Sequence, residues 1–154
     1  MSVKKKILLS LLALLVVIQF KTIERTNPPV EAELTASPAV MELLRRSCYD
    51  CHSNESVWPW YSFVAPASWL VEHDVEEARE HMNFSEWQTW SVEKQDHKRE
   101  ECWEEVEEGE MPLWFYTPLH WEASLSEDDL AVLKAWATAP SDAAPPEAAP
   151  SEAE

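Results

Sequence analysis

Cys48-Tyr49-Asp50-Cys51-His52 places two thiols and an imidazole within five consecutive residues. This C-x-x-C-H spacing is the one used for covalent c-type haem attachment. Each thiol can add to one vinyl group of the porphyrin, and the adjacent histidine then lies under the iron as its proximal ligand. One short turn would hold a single haem at three points. Two other chemistries use a C-x-x-C pair. A structural zinc site needs four ligands, typically from a second Cys/His pair at short spacing. Here Cys102 is the only further cysteine, and His73, His81, His97 and His120 are scattered. A thioredoxin-like redox pair calls for a βαβ pattern, and none is visible. Ligand count favours haem.

A haem carrier also needs a group for the far side of the iron. Met111 is the candidate distal ligand, because Pro112 biases it away from helical backbone and lets its side chain project from a loop. A thioether opposite the proximal histidine raises the reduction potential. His120 is the alternative. Against these stand plainer roles: Met111 as a core gap-filler and His120 as a packed or hydrogen-bonded residue. Met41 falls on the segment that leads into the motif and Met82 beside a polar helix end, so neither ranks with Met111. No Ser/His/Asp arrangement, phosphate loop or spaced carboxylate pair is evident, so no catalytic residue is assigned.

Several elements must position these groups. Lys4-Lys5-Lys6 precede an apolar run from Ile7 to Ile18 that Gln19 alone separates from Phe20. This is the form of a secretory signal, but no small-x-small cleavage site follows Phe20. The expectation is an uncleaved signal-anchor within 1–24, spanning about Ile7 to Ile23, near the lower limit for a membrane helix. The lysines hold the N-terminus in the cytoplasm and the remainder is exported. Residues 25–37 read as a linker, with Pro28-Pro29 favouring extended backbone.

The domain proper is expected over 38–139. Ser37 and Pro38 suit the start of a helix that delivers the motif at its end, with Val40, Leu43, Leu44 and Ser47 at helical spacing. Trp58-Pro59-Trp60-Tyr61 forms an ordered loop whose aromatics could wall the haem edge. A helix is predicted from Ser68 to Met82 and ends at Asn83-Phe84-Ser85, where Ser85 could cap a short turn. A second runs from Ser91 to Glu108, with Gly109, the sole glycine, as its left-handed cap. Ser126 and Asp129 have capping-box spacing ahead of Leu130, Val132, Leu133 and Trp136. Residues 140–154, rich in Ala, Pro, Glu and Ser, are expected to be a disordered acidic tail.

Composition narrows the partners. Twelve basic against 29 acidic residues give a net charge of −17, which argues against nucleic acid and against docking on anionic lipid. A redox partner with a basic face is the electrostatic complement, although the acid would equally serve solubility. Nine tryptophans in 154 residues suit a small domain that buries apolar area against a porphyrin, and suit an ordinary core as well.

The segments from Cys48 to Ser62, Ala65 to Leu70, Asn83 to Trp87 and Gly109 to Pro112, with Tyr116 and His120, resemble the bacterial haem-binding domain family. The resemblance covers about Val40 to Trp136. It implies a single-haem, cytochrome c-like domain behind an N-terminal membrane segment, with the C-x-x-C-H as haem site. The fold expected is therefore all-α, a cytochrome c-like bundle of short helices around one covalently attached haem c. The function expected is one-electron transfer from the bacterial inner membrane, with the domain facing the periplasm, or exported if the segment is cleaved. A haem-based sensor or gas-binding module, or a peroxidase-like enzyme, would instead keep the sixth position open.

Overall fold

Helix boundaries follow from side chains that satisfy the helix's own unpaired backbone groups. A computed structural model describes residues 2–139, and among them every regular element is helical, as the sequence predicts. The tail expected over 140–154 lies outside the described residues. In chain order the helices are α1 (Val3–Ile18), α2 (Pro38–Ser47), α3 (Tyr49–His52), α4 (Ala67–His81), α5 (Val92–Glu107) and α6 (Glu127–Ala137). Short 3₁₀ turns lie at Trp60–Phe63, Trp87–Thr89 and Trp121–Ala123.

Ser37 precedes α2 at Pro38 as expected but makes no side-chain cap bond, whereas the caps at Ser91, Gly109 and Ser126 are present. Ser91 accepts from the Lys94 N–H to start α5. Gly109, at φ +80°, ends it, with Gly109 N–H donating to Val106 O and Glu110 N–H to Glu105 O, the paired closure of a left-handed C-terminus. At α6 the Ser126 hydroxyl accepts from Asp129 N–H (3.2 Å) while the Asp129 carboxylate accepts from Ser126 N–H (2.9 Å). The Ser126 N–H and the Ser126 hydroxyl (2.7 Å) both donate to that carboxylate and, with Arg46 2.9 Å away, hold it below its ordinary range. Its contribution is present above the unfolded carboxyl pKa and is lost as pH falls through the lower folded value. Asp129→Ala should cost about 1 kcal/mol at neutral pH, read as a lower urea midpoint, and the difference from wild type should vanish at the acid end. Ser85 departs from its expected role. Rather than capping the turn at Trp87, its hydroxyl accepts from the buried Asn54 N–H (2.9 Å).

The core forms where α2, α5 and α6 meet. Val40, Leu43 and Leu44 of α2 pack with Cys102 of α5 and Leu133 of α6, and Tyr49, Met82, Phe84 and Trp87 complete the cluster. Phe84 stacks between Tyr49 (5.1 Å) and Trp87 (5.8 Å), and Trp87 meets Trp90 and Trp136. An aromatic column therefore runs from the haem motif's own helix into the core. Met82 lies at the end of α4, as expected, and its side chain is buried in the core cluster.

Two N-terminal features differ from expectation. The apolar helix ends at Ile18, with Gln19 as its C-cap, instead of continuing to Ile23. Among the described residues no helix is long and apolar enough to cross a membrane. Residues 25–37 form no helix or strand, yet they are fastened along the domain. Glu31 and Ala32 N–H donate to Ser85 O, Leu34 N–H to Phe84 O (2.8 Å), and Leu34 is only 4% exposed. Arg79 secures the same stretch, donating to Thr26 O, Asn27 Oδ1, Ser53 O and the Ser56 hydroxyl.

Candidate haem site

Cys48 closes α2, and α3 carries Tyr49 to His52, so the motif occupies one helical turn against α4. His52 is oriented by main chain. Its Nδ1 lies 3.0 Å from Met82 O and 3.1 Å from Ala78 O, both at the end of α4. Carbonyls only accept, so Nδ1 carries the proton and Nε2 keeps its lone pair. A backbone partner on one ring nitrogen is the usual device for presenting the other to a metal. Burial pulls the His52 pKa down, partly opposed by those two hydrogen bonds, and this keeps the ring neutral as a ligand must be. His52 O in turn accepts from Phe84 N–H (2.8 Å), tying the motif to the aromatic column.

The two thiols have different surroundings. Cys48 packs against the core cluster, and burial raises its pKa well above the ordinary thiol value. Cys51 borders a cavity of about 260 Å³ and is pushed up to about 12, chiefly by burial and further by the Asp50 and Asp74 carboxylates. Neither is paired in a disulfide. Both therefore stay protonated at neutral pH, the reverse of the low-pKa thiolate that a thioredoxin-like pair requires. Among the described residues no three His, Cys, Asp or Glu side chains are grouped to hold a metal ion.

The cavity is strongly apolar. Its walls come from the end of α3, the loop 56–61, α4 through Val71 and Val75, and the loop carrying Leu113, Tyr116 and Leu119. The expected aromatic wall, Trp58 to Tyr61, is among them. Asp50 fastens two of the walls: its Oδ1 accepts from Val57 N–H (3.0 Å) and its Oδ2 from the Tyr116 hydroxyl (2.8 Å). Tyr116 stacks on His120 at 4.0 Å and 4°, and the Tyr61 hydroxyl lies 2.8 Å from His120 Nε2. Burial first, then nearby acidic groups, pushes the Tyr61 phenol up to about 12 and Tyr116 higher still. Sequence reasoning missed the bracing role of Asp50 and Tyr116, and it placed Tyr61 in the aromatic wall without its bond to His120. An acid between the two cysteines was the available signal, but its partners lie far along the chain.

The candidate distal ligands lie off the cavity wall. Met111 is half-buried in the turn after α5, its N–H donating to Glu105 O (3.1 Å). His120 is committed on both ring nitrogens, Nε2 to Tyr61 and Nδ1 toward Glu122 at 3.5 Å. Cys48 and His52 do not line the cavity either; of the motif, Asp50 and Cys51 do. The donor set nonetheless fits a haem: two free thiols at attachment spacing, a neutral imidazole with Nε2 unprotonated, and an apolar wall beside one thiol.

A family model described as haem-binding domain matches residues 13–139. No curated protein and no solved structure matches the chain.

Proposed function

This chain belongs to the haem-binding domain family and binds haem, and from that premise we propose that it is a c-type, one-electron carrier tethered to the periplasmic face of the bacterial inner membrane. The carrying observation is His52, whose Nδ1–H is committed to Met82 O and Ala78 O inside a complete C-x-x-C-H. Cys48 and Cys51 would be the covalent anchors and His52 the proximal ligand. Bound haem supplies the chemistry, a reversible change between ferric and ferrous iron.

The chain's own residues keep the environment dry and constant in charge. Val71, Val75 and Leu113 exclude water, and the Asp50–Tyr116 bond holds the loop 113–119 against α3. The Tyr61 and Tyr116 phenols stay protonated far above neutrality, so neither alters the local field in the physiological range. Electron transfer asks for no general acid or base, and none is needed here. The net charge of −17 suits a partner with a basic face.

Met111 is the proposed sixth ligand, with His120 the alternative. A second reading, an open sixth position in a gas-binding sensor or peroxidase-like enzyme, is favoured by the cavity wall, where the described residues include neither methionine nor histidine. Optical spectra of oxidised, reduced and carbon monoxide-treated protein decide between them. A carrier shows low-spin iron, a weak sulfur-to-iron band and no carbon monoxide complex. Met111→Ala then removes that band, lowers the potential and admits carbon monoxide, while His120→Ala does none of these. The reverse pattern makes His120 the ligand. Ready carbon monoxide binding by wild type replaces the carrier with the open-site reading.

A further inference from the structure

Trp60, on the outer side of the cavity loop, and Phe63 and Val64 just after it present large apolar surfaces outward: Trp60 is 75% exposed and Phe63 60%. Apolar side chains grouped on a surface mark a contact with something else. We propose that this ridge is a second membrane-contact element, which seats the domain on the interface of a zwitterionic bilayer beside the point where α1 enters. The proposal rests on the tether reading of α1 and adds to it a specific surface of the domain.

Continuity with α1 identifies the occupant. None of the residues of α1 is buried against the domain. Directly after it the chain is clamped to the ridge. Gln19 Nε2 donates to Ala65 O (3.0 Å), and Gln19 Oε1 accepts from Ala65 N–H (2.9 Å). Arg25 donates to Ser62 O (2.8 Å) and lies 4.2 Å over the Phe63 ring, and Lys21 lies over Trp69. The lipid-soluble helix and the aromatic ridge are therefore neighbours held by side chain-to-main chain bonds, not ends of a loose tether.

Length supplies the reason for a second element. The apolar part of α1, from Ile7 to Ile18, spans about 18 Å at ~1.5 Å per residue, against a hydrocarbon core of about 30 Å. A short apolar segment is accommodated by thinning the bilayer and by drawing flanking groups into the interface. Because Gln19 fastens the end of α1 to Ala65, what is drawn down is the ridge. Tryptophan with lysine and arginine beside it is the side-chain chemistry of the headgroup level. The acidic domain disfavours anionic lipid, so the expected surface is neutral.

The test uses the full chain, labelled with 5-fluorotryptophan and reconstituted in phosphatidylcholine nanodiscs with or without a gadolinium-chelate lipid. Fluorine resonances are assigned by single Trp→Phe variants. The expected result is a Trp60 resonance broadened several-fold by the gadolinium lipid while that of core Trp87 is unchanged. Phe63→Glu should relieve the broadening at Trp60 with the chain still on the disc. If Trp60 stays as sharp as Trp87 in a chain that co-elutes with the discs, or if Phe63→Glu leaves the broadening intact, the ridge proposal fails and the tether stands. A chain that does not co-elute with discs at all overturns both.

Discussion

Cys48→Ser/Cys51→Ser is expected to abolish all haem that survives denaturing electrophoresis, whereas the wild-type chain, exported with a haem maturation system, carries haem stain on the polypeptide. The effect is all-or-none because thioether bonds alone withstand denaturation, and serine hydroxyls do not form them with the vinyl groups. Both thiols are free in the folded chain, and Cys51 stands at the edge of the apolar cavity. His52→Ala separates attachment from ligation. It leaves both cysteines in place, so the stain persists, while the spectrum of the native protein changes because the nitrogen oriented by Met82 O and Ala78 O is gone. A colourless wild-type protein holding stoichiometric zinc would overturn the assignment.

Trp87→Ala should lower the unfolding free energy by about 3–5 kcal/mol, the range for truncating a buried aromatic to a methyl group. The residue is 2% exposed and touches three aromatic rings, so little of the surroundings can close into the space left behind. For a domain of this size the loss corresponds to a fall of roughly 10–20 °C in Tm. Val92→Ala, at a side chain 59% exposed on α5, is the control and should shift stability by no more than about 0.5 kcal/mol. Denaturant unfolding of the two variants checks the comparison, and equal losses would show that the core is not organised on Trp87. The effect should reach the haem site, since Phe84 both stacks on Trp87 and donates to His52 O. Weaker haem retention by a His52-ligated, thiol-free background carrying Trp87→Ala would report that coupling.

What the sequence determined by itself was whatever depends on near neighbours. The chemistry of Cys48, Cys51 and His52 lies in five consecutive residues. The start of α5 at Ser91, its end at Gly109 and the box at Ser126 and Asp129 are each closed by bonds spanning a few residues. Apolar residues at helical spacing placed individual helices, and the family resemblance implied the all-α class. Tertiary structure alone decided features whose partners are distant in the chain. Leu34 looks like a linker residue until its N–H meets Phe84 O, and Gln19 looks like an interruption within an apolar run until it meets Ala65. Asp50 became the brace between two cavity walls only because Val57 and Tyr116 are folded against it, and His120 was taken up by Tyr61 and Tyr116 in the same way. The position of Met111 away from the cavity wall belongs with these. Backbone propensity and capping are local energies written in adjacent residues, but a hydrogen bond across dozens of residues depends on how the helices pack, and no spacing in the chain records it.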